Sequence, residues 1–291
     1  MNTKEVKVHI VHWILEYCTK NNINTLVVGV SGGIDSSVVS MLCAETGLKT
    51  ILVEMPIRTN KNYEGTPISS KHVKSLLERY DNVESEFVDL TDLFNGFKQT
   101  IETQTNQSSN DRYKLMLANT ASRLRMTTLY SFANVYQGIV VGTGNKVEDF
   151  GVGFFTVGGD GQVDISPIAD LMKSEVYELG KELGVMQEIL DSRPTDGLWD
   201  DGRTDEDQIG ATYDELEWAM TFVNDNWYWE QGMEHSGILD YDFETGKSII
   251  SKEELGLSDR QKKVLAIYLS RHNSNKFKML PIPVCQLDSV K

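Results

Sequence analysis

The sequence predicts a doubly wound α/β fold: a mainly parallel five-stranded sheet with helices on both faces, in one domain spanning residues 1–291. Three observations carry this expectation. A short apolar run, Thr25-Leu26-Val27-Val28, passes through the glycine-rich turn Gly29–Ser37 into Val38–Ala44, which can continue as a buried helix. Further apolar runs at 49–53, near 85–90 and at 138–143 alternate with stretches of helical periodicity, the order that builds a parallel sheet. No internal repeat and no linker-like segment interrupts that order.

The leading segment 3–22 places Val8, Val11, His12, Leu15 and Cys18 at helical spacing and reads as an amphipathic helix. Lys49–Val53 reads as the second strand, stopped by Pro56. A helix over roughly 62–80 and a strand near Ser85–Leu90 follow. The polar run 99–110 reads as a loop. Asp111 then opens a long helix to Tyr136, apolar on more than one side: Leu117, Ala121, Leu124 and Thr128 on one, Met126, Leu129, Ala133 and Tyr136 on another. Such a helix must be covered from several directions. The sheet covers one face, and a second copy of the chain is expected on another.

Composition narrows the function. With 28 basic and 43 acidic residues the net charge is −15. A surface that acidic repels phosphate backbones, which argues against a nucleic-acid partner. Cys18, Cys43 and Cys285 are widely spaced and suit buried thiols in a reducing compartment, with no disulfide or zinc framework. No apolar run approaches membrane-spanning length and the first residues do not resemble a signal peptide, so a cytoplasmic location is expected.

The turn after the first strand is the chemical centre. Glycines allow positive φ and close approach to a ligand, and N–H groups converge at the following helix N-terminus, where an anion is favoured. A Walker A loop would end in Gly-Lys-Ser/Thr, and Gly-x-Gly-x-x-Gly fails because residue 31 is serine. What remains is Ser31-Gly32-Gly33-Ile34-Asp35-Ser36, rich in hydroxyls and carrying one carboxylate. A carboxylate beside phosphate needs a cation between them, which points to Mg²⁺ on Asp35. A simple helix cap would explain Asp35 alone but not the paired glycines and hydroxyls.

This stretch resembles the PP-loop of the ATP pyrophosphatases, which cleave ATP between the α and β phosphates and transfer AMP to an acceptor oxygen. Later segments resemble NAD synthetases within that group, the last of them the tail His272–Pro283, so the likeness runs from Val28 to Pro283. Asn119-x-x-x-Arg123-x-Arg125-Met126 resembles the helix whose first arginine contacts the dinucleotide. Gly142-Thr143-Gly144-Asn145-Lys146-Val147-Glu148 resembles the element with threonine on ATP and glutamate on Mg²⁺. Gly153–Asp164 resembles a glycine-rich substrate loop, with Val157 where a lysine is usual. Lys173 and Arg193–Leu198 resemble the elements whose lysine and threonine contact ATP.

The resemblance implies an ammonia-dependent NAD synthetase: ATP-dependent amidation of deamido-NAD with ammonia to NAD, AMP and pyrophosphate, through an adenylated carboxylate. It assigns ATP to Gly29, Val30, Ser31, Gly32, Gly33, Ile34, Asp35, Ser36, Thr143, Lys173 and Thr195. Deamido-NAD falls to Arg123, Asp164, Phe277 and Lys278, with His272 as the other reading of the C-terminal contact. Mg²⁺ falls to Asp35 and Glu148, and catalysis to Asp160 and Lys173. Lys173 sits in the first turn of a helix ending at Gly184, an unfavourable place for a cation unless an anion is near. Glycine-rich 150–164 is expected to close over substrate, and acidic 196–210 to form a flexible cover. Residues 212–235 read as helix, and Ser258 as the cap of a last helix ending near Arg271. Glutamine-dependent relatives add an amidase domain for which this length has no room, leaving free ammonia as the nitrogen source. Two other readings stay open from the loop alone: another PP-loop AMP-transferase, such as a tRNA thiolase, and a non-catalytic ATP-binding protein. The many-sided helix at 111–136 predicts a homodimer. Light scattering at micromolar concentration should give twice the 32.8 kDa chain mass, and a monomer there would contradict the reading.

Overall fold

A computed structural model describes residues 1–57, 67–105, 110–195, 204–226 and 256–285, with strand pairs at 229–230 with 233–234 and at 239–242 with 247–250. The chain divides into two compact units, Met1–Lys146 with Phe155–Gln208, and Val147–Phe154 with Ile209–Lys291.

The first unit is α/β. Its strands are β1 (Thr25–Gly29), β2 (Lys49–Glu54), β3 (Val83–Phe87) and β4 (Ile139–Val140), all parallel, in the order β3-β2-β1-β4. Period-two alternation splits the core between two faces. Leu26, Val28 and Leu52 join one cluster, packed by α1 (Thr3–Lys20), α2 (Ile34–Glu45) and α6 (Lys173–Leu183) through Ile14, Val38, Leu42 and Leu179. Val27, Ile51, Val53 and Val140 face the other way, onto Met126, Leu129 and Ala133 of α5 (Asp111–Val135). Helices on both sides of a parallel sheet confirm the expected class.

Two differences from the sequence reading in this unit have physical causes. Among the described residues the sheet has four strands, not five. The fifth position is reduced to a single parallel bridge, Val141 to Ile165, flanked by hydrogen bonds from Asp164 N to Val140 O (3.0 Å) and Gly142 N to Ile165 O (2.8 Å). It does not extend because the Asp164 carboxylate takes the Val140 N–H (2.7 Å), and Pro167 brings no N–H of its own. Residues 99–105 are helical, as the end of α4 (Thr91–Thr105). Thr100, Thr103 and Thr105 return their hydroxyls to carbonyls four residues back, and Tyr113 of α5 donates to Glu102 (2.6 Å). The helix α3 spans Ile68–Arg79; the predicted start at 62 lies outside the described residues.

In the second unit the helix expected over 212–235 is α9 (Tyr213–Asn226), followed by strands at 229–230 and 233–234. The last helix, α10 (Asp259–Met279), runs two turns beyond Arg271. Ser258 and Gln261 cap it reciprocally, as expected. Its end is set by Pro281, which disfavours helical backbone at Leu280. Leu216, Ala219 and Met220 of α9 and Val264, Leu265, Tyr268 and Leu269 of α10 are buried, and Arg260 of α10 pairs with Glu215 of α9. One π turn, Val147–Val152, packs on both helices. The expected cover lies partly outside the described residues, which resume at 204 and form α8 (Asp205–Ile209). Trp227 lies outside them too, whereas Trp218 is half-buried against Phe222.

A buried histidine joins α2 to α3. His72 Nε2 shares a hydrogen bond with Ser40 Oγ (2.8 Å), and burial pushes its pKa down to about 4. The unfolded chain takes up this proton near pH ~6.5, so His72's contribution is whole above that pH and lost as pH falls toward 4. Between pH 7 and pH 4, urea unfolding of His72→Gln should lose about 3 kcal/mol less stability than the unaltered chain. An identical loss in both would contradict this.

Candidate active site

The glycine-rich turn sits where β1 meets α2, at the carboxyl end of the central strand. That edge is where ligands bind in open α/β sheets. Val30 N donates to Val53 O (3.0 Å), so the neighbouring strand fixes the exit of the turn. The two serines then close on each other. Ser31 Oγ and Ser36 Oγ are 3.0 Å apart, Ser31 N donates to Ser36 Oγ (3.3 Å), and Gly33 N donates to Ser31 Oγ (3.2 Å). Ser37 Oγ anchors to Gly33 O (2.9 Å). Gly32 is required: its φ is +89°, and a Cβ there would lie 2.7 Å from Ile68 Cγ2.

Asp35 occupies the first turn of α2, where the helix dipole favours a carboxylate. It binds two groups from distant parts of the chain. Lys173 Nζ donates to Oδ2 (2.7 Å), and Asn145 Nδ2 donates to Oδ1 (3.1 Å). Lys173 is 4% exposed and Asn145 fully buried. The anion that Lys173 needs at its helix start is therefore, in this structure, Asp35. Thr143 lies half-buried between β4 and Asn145, and Thr195 is exposed at the end of a described stretch.

A second constellation lies along α5. Asn119, Ser122 and Arg123 share one helix face and meet residues 156–160. Thr156 Oγ1 donates to Asn119 Oδ1 (2.8 Å), Ser122 Oγ donates to Asp160 Oδ1 (2.5 Å), and Arg123 Nε donates to Val157 O (3.1 Å). Arg125 turns the other way and holds Met55 O (3.2 Å). Residues 156–162 thus form a compact hydrogen-bonded turn laid on α5. Asp164 accepts from Tyr130 (3.2 Å) and from the Val140 N–H; burial first, then the Asp164 charge, pushes the Tyr130 pKa up to about 12. An open cavity of about 360 Å³ beside this turn is lined by Met126, Thr127, Tyr130, Ser131, Asn134, Gly158 and Gln162.

The remaining candidates belong to the second unit. Glu148, on the π turn, accepts from Tyr213 of α9 (2.6 Å). His272 binds Gly151 O (2.7 Å) and Lys278 donates to Gly153 O, so both fix the segment 151–153; Phe277 is 70% exposed. Sequence reasoning assigned no role to Asn145, Ser122, Tyr130 or Tyr213. A buried asparagine inside a glycine-rich motif and a serine three residues after Asn119 were the available signals.

A parallel α/β sheet with a glycine- and serine-rich phosphate cradle after its central strand defines a PP-loop nucleotide-binding protein. The family model for NAD synthase matches residues 6–258, and the chain belongs to that family. It is 37% identical over 220 residues to the NH(3)-dependent NAD(+) synthetase of Mesoplasma florum, covering 75% of this chain and 84% of that one. The Carboxydothermus hydrogenoformans enzyme of the same name is 35% identical over 219 residues, with coverage of 75% and 85%. Among solved structures, NMN synthetase from Francisella tularensis aligns with TM-score 0.72 and 28% identity over 98% of this chain and 99% of that one. The NH3-dependent NAD synthetase from Campylobacter jejuni shares the fold, with TM-score 0.69, 21% identity and coverage of 98% and 100%.

Gly32→Ala tests the cradle. Forcing alanine to a left-handed φ costs about 1–2 kcal/mol, and the added methyl pushes on Ile68. The variant should fold with a lowered Tm and a KM for ATP raised at least about tenfold. An unchanged KM would remove this turn from the nucleotide site.

Proposed function

We propose that the chain is an ATP-dependent amide ligase that converts deamido-NAD and ammonia to NAD, with AMP and pyrophosphate as the other products. The observation that carries this reading is the cradle of residues 29–33 opening into α2, with Asp35 and Lys173 paired at its first turn. In the first step a nicotinate carboxylate oxygen attacks the α-phosphorus of ATP. A P–O bond forms, the α–β bridge breaks and pyrophosphate leaves. In the second step the ammonia lone pair attacks the acyl carbon, the bond to AMP breaks, and one proton is released.

Charge governs the first step. The N–H groups of the turn, the Ser31 and Ser36 hydroxyls, and the Lys173 ammonium stabilise negative charge gathering on the departing pyrophosphate. Gly29, Val30, Ile34, Thr143 and Thr195 complete the proposed ATP contacts. Mg²⁺ fits the donor set, since it takes few carboxylates and completes its shell with phosphate and water. We assign Asp35 and Glu148 as its carboxylates. Bound with ATP, it neutralises phosphate charge. Arg123, Asp164, Phe277 and Lys278 are the proposed contacts of the deamido-dinucleotide, and Asp160 the group that binds or deprotonates ammonium.

We read both units as parts of one synthetase domain, acting in the cytoplasm as a homodimer through α5. Exposed Leu115 and Val135 on that helix support a partner there. Among the described residues no helix is long and apolar enough to cross a membrane. The Francisella neighbour supports one competing acceptor, the acid form of the mononucleotide.

Pyrophosphate release should require deamido-NAD and give NAD only when ammonium is added. Its kcat/KM should exceed that for nicotinate mononucleotide. Release indifferent to either acceptor would overturn the reading, and a preference for the mononucleotide would move the enzyme to that substrate. Asp160→Asn should slow turnover at saturating ammonium by about 10²-fold or more; unchanged turnover would dismiss Asp160.

A further inference from the structure

Three hydroxyl side chains inside α5 bond back along their own helix. Thr120, Thr128 and Ser131 return their hydroxyls to the carbonyl four residues back, to Met116 (2.8 Å), Leu124 (2.9 Å) and Thr127 (2.8 Å). Ser122, which is 7% exposed, instead reaches across to another segment. Its Oγ donates to Asp160 Oδ1 at 2.5 Å and accepts from the Asp160 N–H at 3.0 Å. One hydroxyl therefore grips both the backbone and the side chain of a single residue. The Thr156 N–H adds a third bond, to the same carboxylate oxygen (3.1 Å).

Packing makes this grip specific. A Cβ at Gly159 would lie 2.2 Å from Ser122 Oγ and 3.0 Å from its Cβ, so the chain comes this near only because residue 159 has no side chain. Asn119 and Arg123, one turn before Ser122 and one residue after it, pin Thr156 and Val157 on either side. The position usually held by lysine is here Val157, 52% exposed, whose carbonyl accepts from Arg123. Three α5 side chains thus hold the turn 156–160, and Ser122 holds Asp160 itself.

We propose that Ser122 is a positioning residue for amidation, fixing the Asp160 carboxylate in the orientation from which it meets ammonium. This rests on the reading that Asp160 handles ammonium. A short O–H···carboxylate bond is charge-assisted and directional. With Oδ1 held by Ser122 and Thr156, rotation of the carboxylate about its last bond is restricted. The acceptor of the ammonium proton is then set before the nucleophile arrives, as efficient proton transfer requires. Adenylation, which draws on the 29–37 turn and Lys173, does not use this contact.

The two half-reactions separate the roles. Exchange of labelled pyrophosphate into ATP, run with deamido-NAD and without ammonium, reads adenylation alone. In Ser122→Ala that exchange should stay within about twofold of the unaltered enzyme. Ammonium-dependent NAD formation should fall about tenfold or more, the scale of one hydrogen bond to a charged group. In an Asp160→Asn background the same serine change should add nothing, because Ser122 acts through Asp160. Equal losses in both half-reactions, additive losses in the double variant, or unchanged NAD formation would overturn the proposal. If Asp160→Asn itself leaves NAD formation intact, the Asp160 reading fails. If Asp160→Asn slows it and Ser122→Ala does not, only the serine's role fails.

Discussion

The buried ion pair between Asp35 and Lys173 is the constraint on which the first unit's chemistry depends. Each residue opens a helix, α2 and α6, and the two helix starts are far apart in sequence. A lysine at a helix N-terminus is opposed by the helix dipole, while an aspartate there is favoured. Pairing them at 2.7 Å, with Asn145 on the second carboxylate oxygen, satisfies the misplaced cation with the well-placed anion. Removing one member would strand a buried charge, at a cost of about 3–5 kcal/mol. The pair therefore fixes the start of α2, and with it the glycine-rich turn that precedes it.

Local chemistry decided what could be read from the sequence. The turn at 29–37 was legible because its residue types have few other uses: paired glycines, flanking hydroxyls and a carboxylate after an apolar strand. Lys173 was legible through its conflict with the helix dipole, though its partner was not, since 138 residues separate it from Asp35. The fifth strand failed because period-two patterning cannot foresee a side-chain carboxylate taking a ladder N–H, as Asp164 does at Val140. The polar run 99–105 read as loop, yet its threonines bond along the helix and Tyr113 secures it from α5. Tertiary contacts of that kind override propensity.

The site residues divide by unit. Cradle, ion pair and the α5 face with Asp160 and Asp164 belong to the α/β unit; Glu148, Phe277 and Lys278 belong to the helical one. Side chains of the helix beneath the turn 156–160, Asn119, Ser122 and Arg123, grip it. Only the arginine drew notice as a site residue from sequence, because a serine in a helix ordinarily bonds to its own backbone.

The central claim is that the cradle presents the α-phosphate of ATP to a carboxylate. The direct measurement is the fate of ¹⁸O carried in the nicotinate carboxylate of deamido-NAD, followed by mass spectrometry of the nucleotide and phosphate products. Transfer of one ¹⁸O to AMP, with none in pyrophosphate, is the result the account predicts. Label appearing in inorganic phosphate with ADP as coproduct would mean attack at the γ-phosphate and would contradict it.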